Sequence, residues 1–467
     1  MNQAFGKEEA MGRPRRCIVL AVTTLALSFW TSAGWAAEAE IPETLKTEDL
    51  EKRLEETASI PTIVTVAYRR NPEIQSARDG WRAVIERYRV ATGYPDPQLL
   101  STYSPEPIET RLGPQDWSVN LTQAVPFPGR LSKAGEVVEA ETQVARLELD
   151  KTVRDIIVQV RESYYELLYI EEAKWVVAQN QELVDHLRKV GETAYAQDRA
   201  ALADILKAQS QVAQLEYDRL LLEDLERVEK ARLNSLLNRP PEAPIGPLAK
   251  EPPHPLLYSL EETYDLASRY QEEIRIAETR IERARRRVEL AGYENLPEFR
   301  FGLFYTEIGR PDVPVQPIDA GRDAVGLQAG LSIPLWFEKN RGRVGEARAE
   351  LARAQSAKTA RVNETFAQIR NLYFRVQNSE RLVRLYRDEL LPQAARAIEI
   401  AETWYREKQG SFSDFIETEA VYYNFQLSMA RAVADYKKFL ARLERLVGRS
   451  LTETPSAPPG SDKEGAE

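Results

Sequence analysis

Few residues of the types that perform chemistry occur in this chain. Its 467 residues include only two histidines, His186 and His254, and one cysteine, Cys17. A soft-metal site needs several His or Cys ligands, so we expect no metal site and no cofactor. No glycine-rich phosphate loop or nucleophile elbow is present, and neither histidine has a credible acid or base partner. The sequence therefore argues against an enzyme and against any catalytic residue.

Charged residues offer a different kind of chemistry. Asp204 and Asp414 each follow a short break and stand at the start of a predicted helix. An aspartate there stabilises the helix by about 0.3–1 kcal/mol through the helix dipole. The formal net charge of −10 gives no support to a nucleic-acid partner, because phosphate binding needs Lys and Arg in excess. We expect no nucleic acid to bind.

The elements that carry these aspartates occur twice. Four pairs of segments match in order, and their offset drifts slowly from 200 to 210 residues, as in two copies of one unit with small insertions. The matching pairs begin at Asn71 with Gln271, at Val125 with Ile333, at Ala203 with Ser413, and at Leu237 with Val447. Residues 240–255, which are rich in proline, divide the two copies.

Hydrophobic periodicity changes twice within each copy. Apolar residues at three- and four-residue spacing predict helices, and alternation after a Pro- and Gly-rich stretch predicts strands. The predicted helices are 61–93, 132–195, 203–238, 256–291, 341–408 and 413–447, and the predicted strands lie within 98–125 and at 298–308 and 324–333. Each long helix has about the combined length of the two shorter ones, which could stack end to end beside it. Pro392 should bend the second long helix.

The last strand is amphipathic. Val325, Leu327 and Leu331 alternate with small or polar residues, so one face is expected to meet an apolar phase. Four strands of roughly ten residues cannot close a membrane barrel, because single-chain barrels begin at about eight strands. A barrel would require an oligomer, and three chains would supply twelve strands. The alternative is a soluble exported protein whose small sheet caps a helical bundle.

The first 36 residues have the pattern of a secretory signal peptide. Three arginines precede an apolar run from Cys17 to Trp30, and small residues follow. At about 14 residues the run is too short to span a bilayer, which disfavours a membrane anchor. The chain after residue 36 contains no cysteine, so it must be stabilised without disulfides. Residues 450–467 are expected to form a disordered tail.

Several segments together resemble the TolC-like outer-membrane efflux proteins over roughly residues 61 to 450. The resemblance lies in the first helix with Val66 to Ile74, in the strand and elbow from Leu121 to Arg130, and in the duplicated plan. It extends to Leu390 to Ala394 with Tyr405, and to Asp414-Phe415-Ile416. The elbow Pro126 to Arg130 is more similar to the metal-resistance branch than to the multidrug branch.

This resemblance implies a mainly α fold with a small transmembrane β-barrel portion. A homotrimer would combine a periplasmic α-barrel with a shared twelve-stranded β-barrel in the outer-membrane lipid. The implied function is the passive exit duct of a tripartite efflux system, docked to a periplasmic adaptor and an inner-membrane pump. The alternative is a soluble periplasmic coiled-coil adaptor or scaffold. The expected domains are a signal peptide (1–36), an N-terminal periplasmic segment (37–60), two repeats (61–239 and 256–449) joined by the linker 240–255, and the tail.

The resemblance also places the two hairpin turns, residues 195–204 and 405–414, at the periplasmic tip. Asp204 and Asp414 match the family's acidic position there, so three copies could form a ring of carboxylates that attracts cations, or the residues could act only as helix caps. The family's turn glycine is replaced by Asp198 and Lys408, with Gly410 displaced by two. Arg199 and Lys408 could pair with the aspartates across neighbouring hairpins to latch the tip or dock an adaptor; alternatively, they are solvated. Val325, Leu327 and Leu331 would face lipid.

Overall fold

The computed structural model describes residues 47–196, 201–407 and 409–453. The predicted signal peptide lies outside the described residues, as do 37–46 and residues 454–467 of the predicted tail. Residues 450–453 of that tail are described, and Leu451 is fully buried against the helices Leu260–Tyr270 and Phe412–Val447. The first half contains α1 (Thr47–Glu56), α2 (Ile60–Arg70), α3 (Pro72–Thr92), β1 (Gln98–Thr110), β2 (Gly113–Val125), α4 (Arg130–Tyr195) and α5 (Leu202–Leu236).

The second half repeats this order without a counterpart of α1. It contains α6 (Leu260–Tyr270), α7 (Glu272–Tyr293), β3 (Phe299–Ile308), β4 (Ala324–Leu331), α8 (Phe337–Leu385), a π-helical turn (Tyr386–Leu390), α9 (Leu391–Arg406) and α10 (Phe412–Val447). The mainly α fold built from a duplicated helix–strand–strand–helix unit is therefore confirmed. Within the described residues, no helix is long and apolar enough to cross a membrane.

The first predicted helix of each copy is in fact two helices. Asn71 and Gln271 interrupt them with extended backbone, at ψ 125° in both cases. The Asn71 Oδ1 accepts hydrogen bonds from the backbone N–H groups of Glu73 (2.9 Å) and Ile74 (3.2 Å), and the Gln271 Oε1 accepts from that of Ile274 (2.6 Å). Each side chain thus caps the helix that follows it. The prediction of continuous helices at 61–93 and 256–291 was wrong for this reason.

The long helices are the axis of the molecule. α4 has 66 residues, which corresponds to about 100 Å of helix. It packs against α3 and α7 near the sheet, and against α5 and α10 in the opposite half. The second long helix is not continuous, because a π-helical turn separates α8 from α9 just before Pro392. Proline has no N–H to donate, so the helical hydrogen-bond pattern is interrupted where bending was predicted.

The last helix of each copy is followed by a residue with positive φ. Asn238 (φ 53°) and Gly448 (φ 82°) follow α5 and α10 in the left-handed conformation that terminates helices. A Cβ on Gly448 would lie 2.5 Å from the carbonyl oxygen of Tyr270, so only glycine fits there.

Three large clusters of buried apolar side chains, and a small one of Val144, Leu147 and Ile276, hold the described helices together. One joins α1, α2, α4, the end of α5 and the linker, and includes Leu54, Ile63 and Leu237. Another joins α6, α8 and the end of α10. The third, which we name the tip core, lies far from the sheet; its buried members are Ile170, Ala173, Val176, Val177, Val184, Leu187, Ala208, Leu215, Leu222, Phe415, Ile416 and Tyr423. The tip core joins the α4–α5 hairpin to the α9–α10 hairpin.

Candidate functional site: the hairpin tip and the exposed sheet

The two candidate gate residues occupy equivalent positions in the helices that return from the turns. Asp414 Oδ2 accepts a hydrogen bond from the backbone N–H of Ser411 (3.3 Å), and the backbone N–H of Asp414 donates to Ser411 Oγ (3.1 Å). Asp204 Oδ2 likewise accepts from the backbone N–H of Ala201, at 3.4 Å. Ala201 has no side-chain acceptor, so only the second hairpin has the reciprocal capping box. Both aspartates therefore act as helix caps within one chain.

The two hairpins meet directly at these caps. Lys207 on α5 donates a hydrogen bond from Nζ to the Oγ of Ser413 on α10. Asp204 lies close enough to Tyr405 on α9 to affect its titration: burial, followed by the negative charge of Asp204, raises the pKa of the Tyr405 hydroxyl. Asp204 thus faces the second hairpin as well as capping its own helix.

The remaining predicted tip residues are only partly within the described chain. Asp198, Arg199 and Lys408 lie outside the described residues. Gly410 is half-buried and follows the end of α9, where its backbone N–H donates to the carbonyl oxygen of Trp404 at 3.2 Å. A Cβ at this position would lie 3.2 Å from the Trp404 Cβ, tighter than ordinary contact. Glycine therefore allows the turn to close against α9.

Two acidic residues behind the tip were missed by the sequence analysis. Tyr423 on α10 donates a hydrogen bond from its hydroxyl to Asp218 Oδ2 on α5 (3.2 Å). One turn earlier on the same face, Glu419 is completely buried. Its spacing of four residues from both Phe415 and Tyr423 already indicates the buried face of α10. This spacing is the sequence feature that could have identified Glu419 as a residue of the buried face.

The predicted lipid-facing residues lie on an uncovered face of the sheet. The four strands are antiparallel in the order β1-β2-β3-β4, and directly paired residues share a face. One row across all four strands consists of Leu99, Leu121, Leu303 and Leu327. Val325 and Leu331 belong to other rows of the same face. Val325 is 74% exposed, Leu327 is 83% exposed and Leu331 is 53% exposed, so no other part of the described chain covers these side chains.

The opposite face of the sheet is different in character. The row beside the leucines consists of Gln98, Thr122, Gly302 and Gln328. Asn120 Nδ2 donates to Gln328 Oε1 across the sheet at 2.9 Å. Leu100 and Phe304 interrupt this otherwise polar or small surface. The sheet therefore has one apolar face and one largely polar face, both open to the surroundings of a single chain.

The fold is shared with solved outer-membrane channels. It matches the solved structure of the outer membrane protein VceC from Vibrio cholerae with a TM-score of 0.69 and 17% identity, over 84% of this chain and 96% of that one. For CusC the TM-score is 0.72 with 12% identity, over 91% and 96%. For the open state of the MtrE channel of Neisseria gonorrhoeae it is 0.66 with 15% identity, over 85% and 91%.

The sequence itself also matches a family model. Residues 263–449 match the model described as outer membrane efflux protein. This match and the shared fold confirm the resemblance to the TolC-like outer-membrane efflux proteins. Comparison with curated protein sequences finds no match.

Proposed function

We propose that this protein is the passive exit duct of a tripartite efflux system in the bacterial outer membrane. Its sheet would lie in the outer-membrane lipid and its helices in the periplasm, where the tip would dock a periplasmic adaptor and, through it, an inner-membrane pump. The observation that carries the proposal is the amphipathic four-stranded sheet at one end of a helix of about 100 Å.

Oligomerisation follows from the two open edges of that sheet. β1 and β4 are its edge strands, and each presents unpaired backbone N–H and C=O groups. In lipid every such group costs several kcal/mol, so the edges must pair with further chains. Three copies joined β4 to β1 give twelve strands, which exceeds the roughly eight strands of the smallest barrels. The apolar rows would then face lipid and the polar rows the lumen.

The helical half supports the same assembly. α5 and α9 carry large apolar side chains that no part of the described chain covers, and each packs mainly against a helix of its own hairpin. These side chains include Leu206, Tyr217, Leu221 and Val228 on α5, and Ile400 and Trp404 on α9. Exposed apolar stripes at helical spacing are typical of helix–helix interfaces. In a homotrimer they would pack between neighbouring chains.

A soluble scaffold fits this sheet poorly. Such a protein must bury its apolar sheet face against its own helices, as an antiparallel sheet with one solvated face does. Leu327 is instead 83% exposed, and its row partners are also open. We therefore do not propose the soluble alternative as a second function.

The test is the location, native mass and conductance of the full-length protein. Membrane fractionation followed by detergent extraction should recover a trimer from the outer membrane. The purified trimer should form stable conducting pores in planar lipid bilayers. A soluble periplasmic monomer or dimer, or a membrane trimer that never conducts, would contradict the proposed duct.

A further inference from the structure

A buried carboxyl group lies in the tip core. Glu419 on α10 has no exposed surface, and neither of its carboxyl oxygens has a hydrogen-bond partner among the described residues. One helical turn away on either side, Phe415 and Tyr423 are buried members of the tip core. The carboxyl therefore lies where α10 packs against the other hairpin.

Titratable side chains on all four helices contact this core without neutralising a carboxylate. Among them are Tyr169 on α4, Asp218 on α5, Tyr405 on α9 and Tyr423 on α10 itself. Burial, and then the charges of Asp218 and Glu419, raise the pKa of the Tyr423 hydroxyl. All four groups are acids or phenols, so none supplies a positive charge.

Two cations of the described residues that border the core interact with other groups. Arg431 stacks over the Tyr169 ring, 3.5 Å from its centroid, and pairs with Glu166 at 3.0 Å. Lys207 donates to Ser413 at the tip. The core also holds the Nδ2 of Asn180 on α4, a buried group with no hydrogen-bond partner among the described residues, which lies between Val177 and Val184 along that helix.

A carboxylate in such a place is unstable, whereas a protonated carboxyl is tolerated. Transfer of an unpaired charge into an apolar interior is costly, and the group responds by holding its proton. Burial alone raises the pKa of Glu419 from 4.5 to about 7. The packed tip therefore binds this proton much more tightly than a tip whose core admits water.

We propose that Glu419 is a proton-operated latch of the hairpin tip. When Glu419 is protonated, α10 packs tightly against α4, α5 and α9. When Glu419 is ionised, this packing loosens and water reaches the carboxylate. The inference rests on the proposed function in so far as the tip is the gate of a duct. Its consequence is that acid keeps the tip closed and neutral pH releases the latch.

The direction follows from linkage between proton binding and packing. The stabilisation of the packed tip is fully present below pH 4.5, where both states are protonated, and is lost as pH rises through about 7. The pKa of Glu419 is 4.5 in the ordinary, solvated state and about 7 in the packed tip. This difference corresponds to roughly a 300-fold change in the ratio of loosened to packed tips per chain. Above about pH 7 the ratio should no longer change.

The first experiment follows packing without relying on conductance. Hydrogen exchange of peptides from α10 is measured on the full-length protein in detergent between pH 5 and 8, corrected for intrinsic exchange rates. We expect protection to fall as pH rises to 7. Glu419→Gln should remove this dependence, and Glu417→Gln should preserve it, because Glu417 is an exposed glutamate on the same helix.

A second variant covers the case in which a buried amide disturbs folding. Glu419→Met places an apolar side chain of similar length in the core, and it should keep the tip protected at every pH. Infrared difference spectra supply a direct titration: the wild type should show a protonated carboxyl band at pH 5 that is lost by pH 8, and both variants should lack it. A flat exchange profile in the wild type, a pH dependence that survives in both variants, or no such band would overturn the proposal.

Failure of the latch and failure of the duct are distinguishable. If pores conduct but α10 exchange is independent of pH, the latch is wrong and the duct stands. If α10 loosens with pH and the effect is lost in Glu419→Gln, but no pore conducts, the latch stands and the duct is wrong. If both hold, open probability in bilayers should rise between pH 5 and 7 in the wild type and stay low in Glu419→Met.

Discussion

Charge placed on the apolar row of the sheet should block membrane assembly. Leu327 is 83% exposed and lies in the leucine row that crosses all four strands. In lipid, an Arg or Lys near the middle of an outward-facing strand costs about 2–4 kcal/mol. A trimer repeats the change three times, so Leu327→Arg should destabilise the assembled barrel by about 6–12 kcal/mol. That is comparable to the whole stability of a typical domain.

The matched control is the adjacent residue on the other face. Gln328→Arg introduces the same side chain one position along β4, where it points away from the leucine row. It removes the hydrogen bond from Asn120, which contributes about 1 kcal/mol. We therefore expect normal recovery of the trimer for Gln328→Arg and little or none for Leu327→Arg.

The assay separates membrane assembly from general misfolding. Trimer recovery from the outer membrane is measured together with the helical circular dichroism of any protein recovered elsewhere. Leu327→Arg should leave a helical, unassembled protein, because the helix cores lie far from the sheet. Equal trimer recovery for the two variants would refute the assignment of this face to lipid. Loss of helical structure in Leu327→Arg would instead place the leucine row inside a soluble core.

Three further outcomes are expected. Ser411→Ala should destabilise the start of α10 by about 1 kcal/mol and speed hydrogen exchange there. Ala201→Ser should slow hydrogen exchange at the start of α5. No change in either variant would contradict the capping assignment. Asp204→Ala with Asp414→Ala should raise ion leakage and weaken cation block in single-channel recordings, and unchanged block would leave both residues as caps only. Asn71→Ala removes a buried cap and should cost about 1–3 kcal/mol, measured as a lower midpoint of thermal unfolding than in Gln75→Ala.

Periodic features of this chain were predictable from the sequence. The helices, the strands and the duplication each repeat a pattern of apolar residues, because burial acts on every turn of a helix and on alternate residues of a strand. The lipid-facing assignment of Leu327 followed from one strand alone. The structure adds that the same face continues through Leu303 and Leu121, which required the strand register.

Features that depend on one side chain were not predictable in the same way. The first predicted helix is broken at Asn71 because this side chain caps the helix that follows, although Pro72 was a visible sign of a boundary. Helix α1, within the segment 37–60, was not predicted. It is short, and it gains stability from packing Leu50 and Leu54 into a core formed by distant parts of the chain.

Glu419 illustrates the largest gap between sequence and structure. A glutamate in a charged helix is normally read as solvated, and the chain has 73 acidic residues. Its burial depends on four helices from both copies meeting at one level of the tip. No local sequence pattern indicates that these four helices pack together. The spacing from Phe415 and Tyr423 indicated only the face of α10 on which Glu419 would lie.

The sheet and the hairpins tolerate different changes of sequence, and physical constraints explain why. In the sheet, Leu121 of the first copy pairs directly with Leu303 of the second, so a change of register in either copy would move a whole set of apolar side chains to the wrong face. At the hairpins each turn must only reverse the chain and cap one helix. Ala201 and Ser411 fill equivalent positions, and only Ser411 supplies a side-chain acceptor to its helix. Substitutions in the hairpins can therefore change the stability of each helix start without changing the register of the strands.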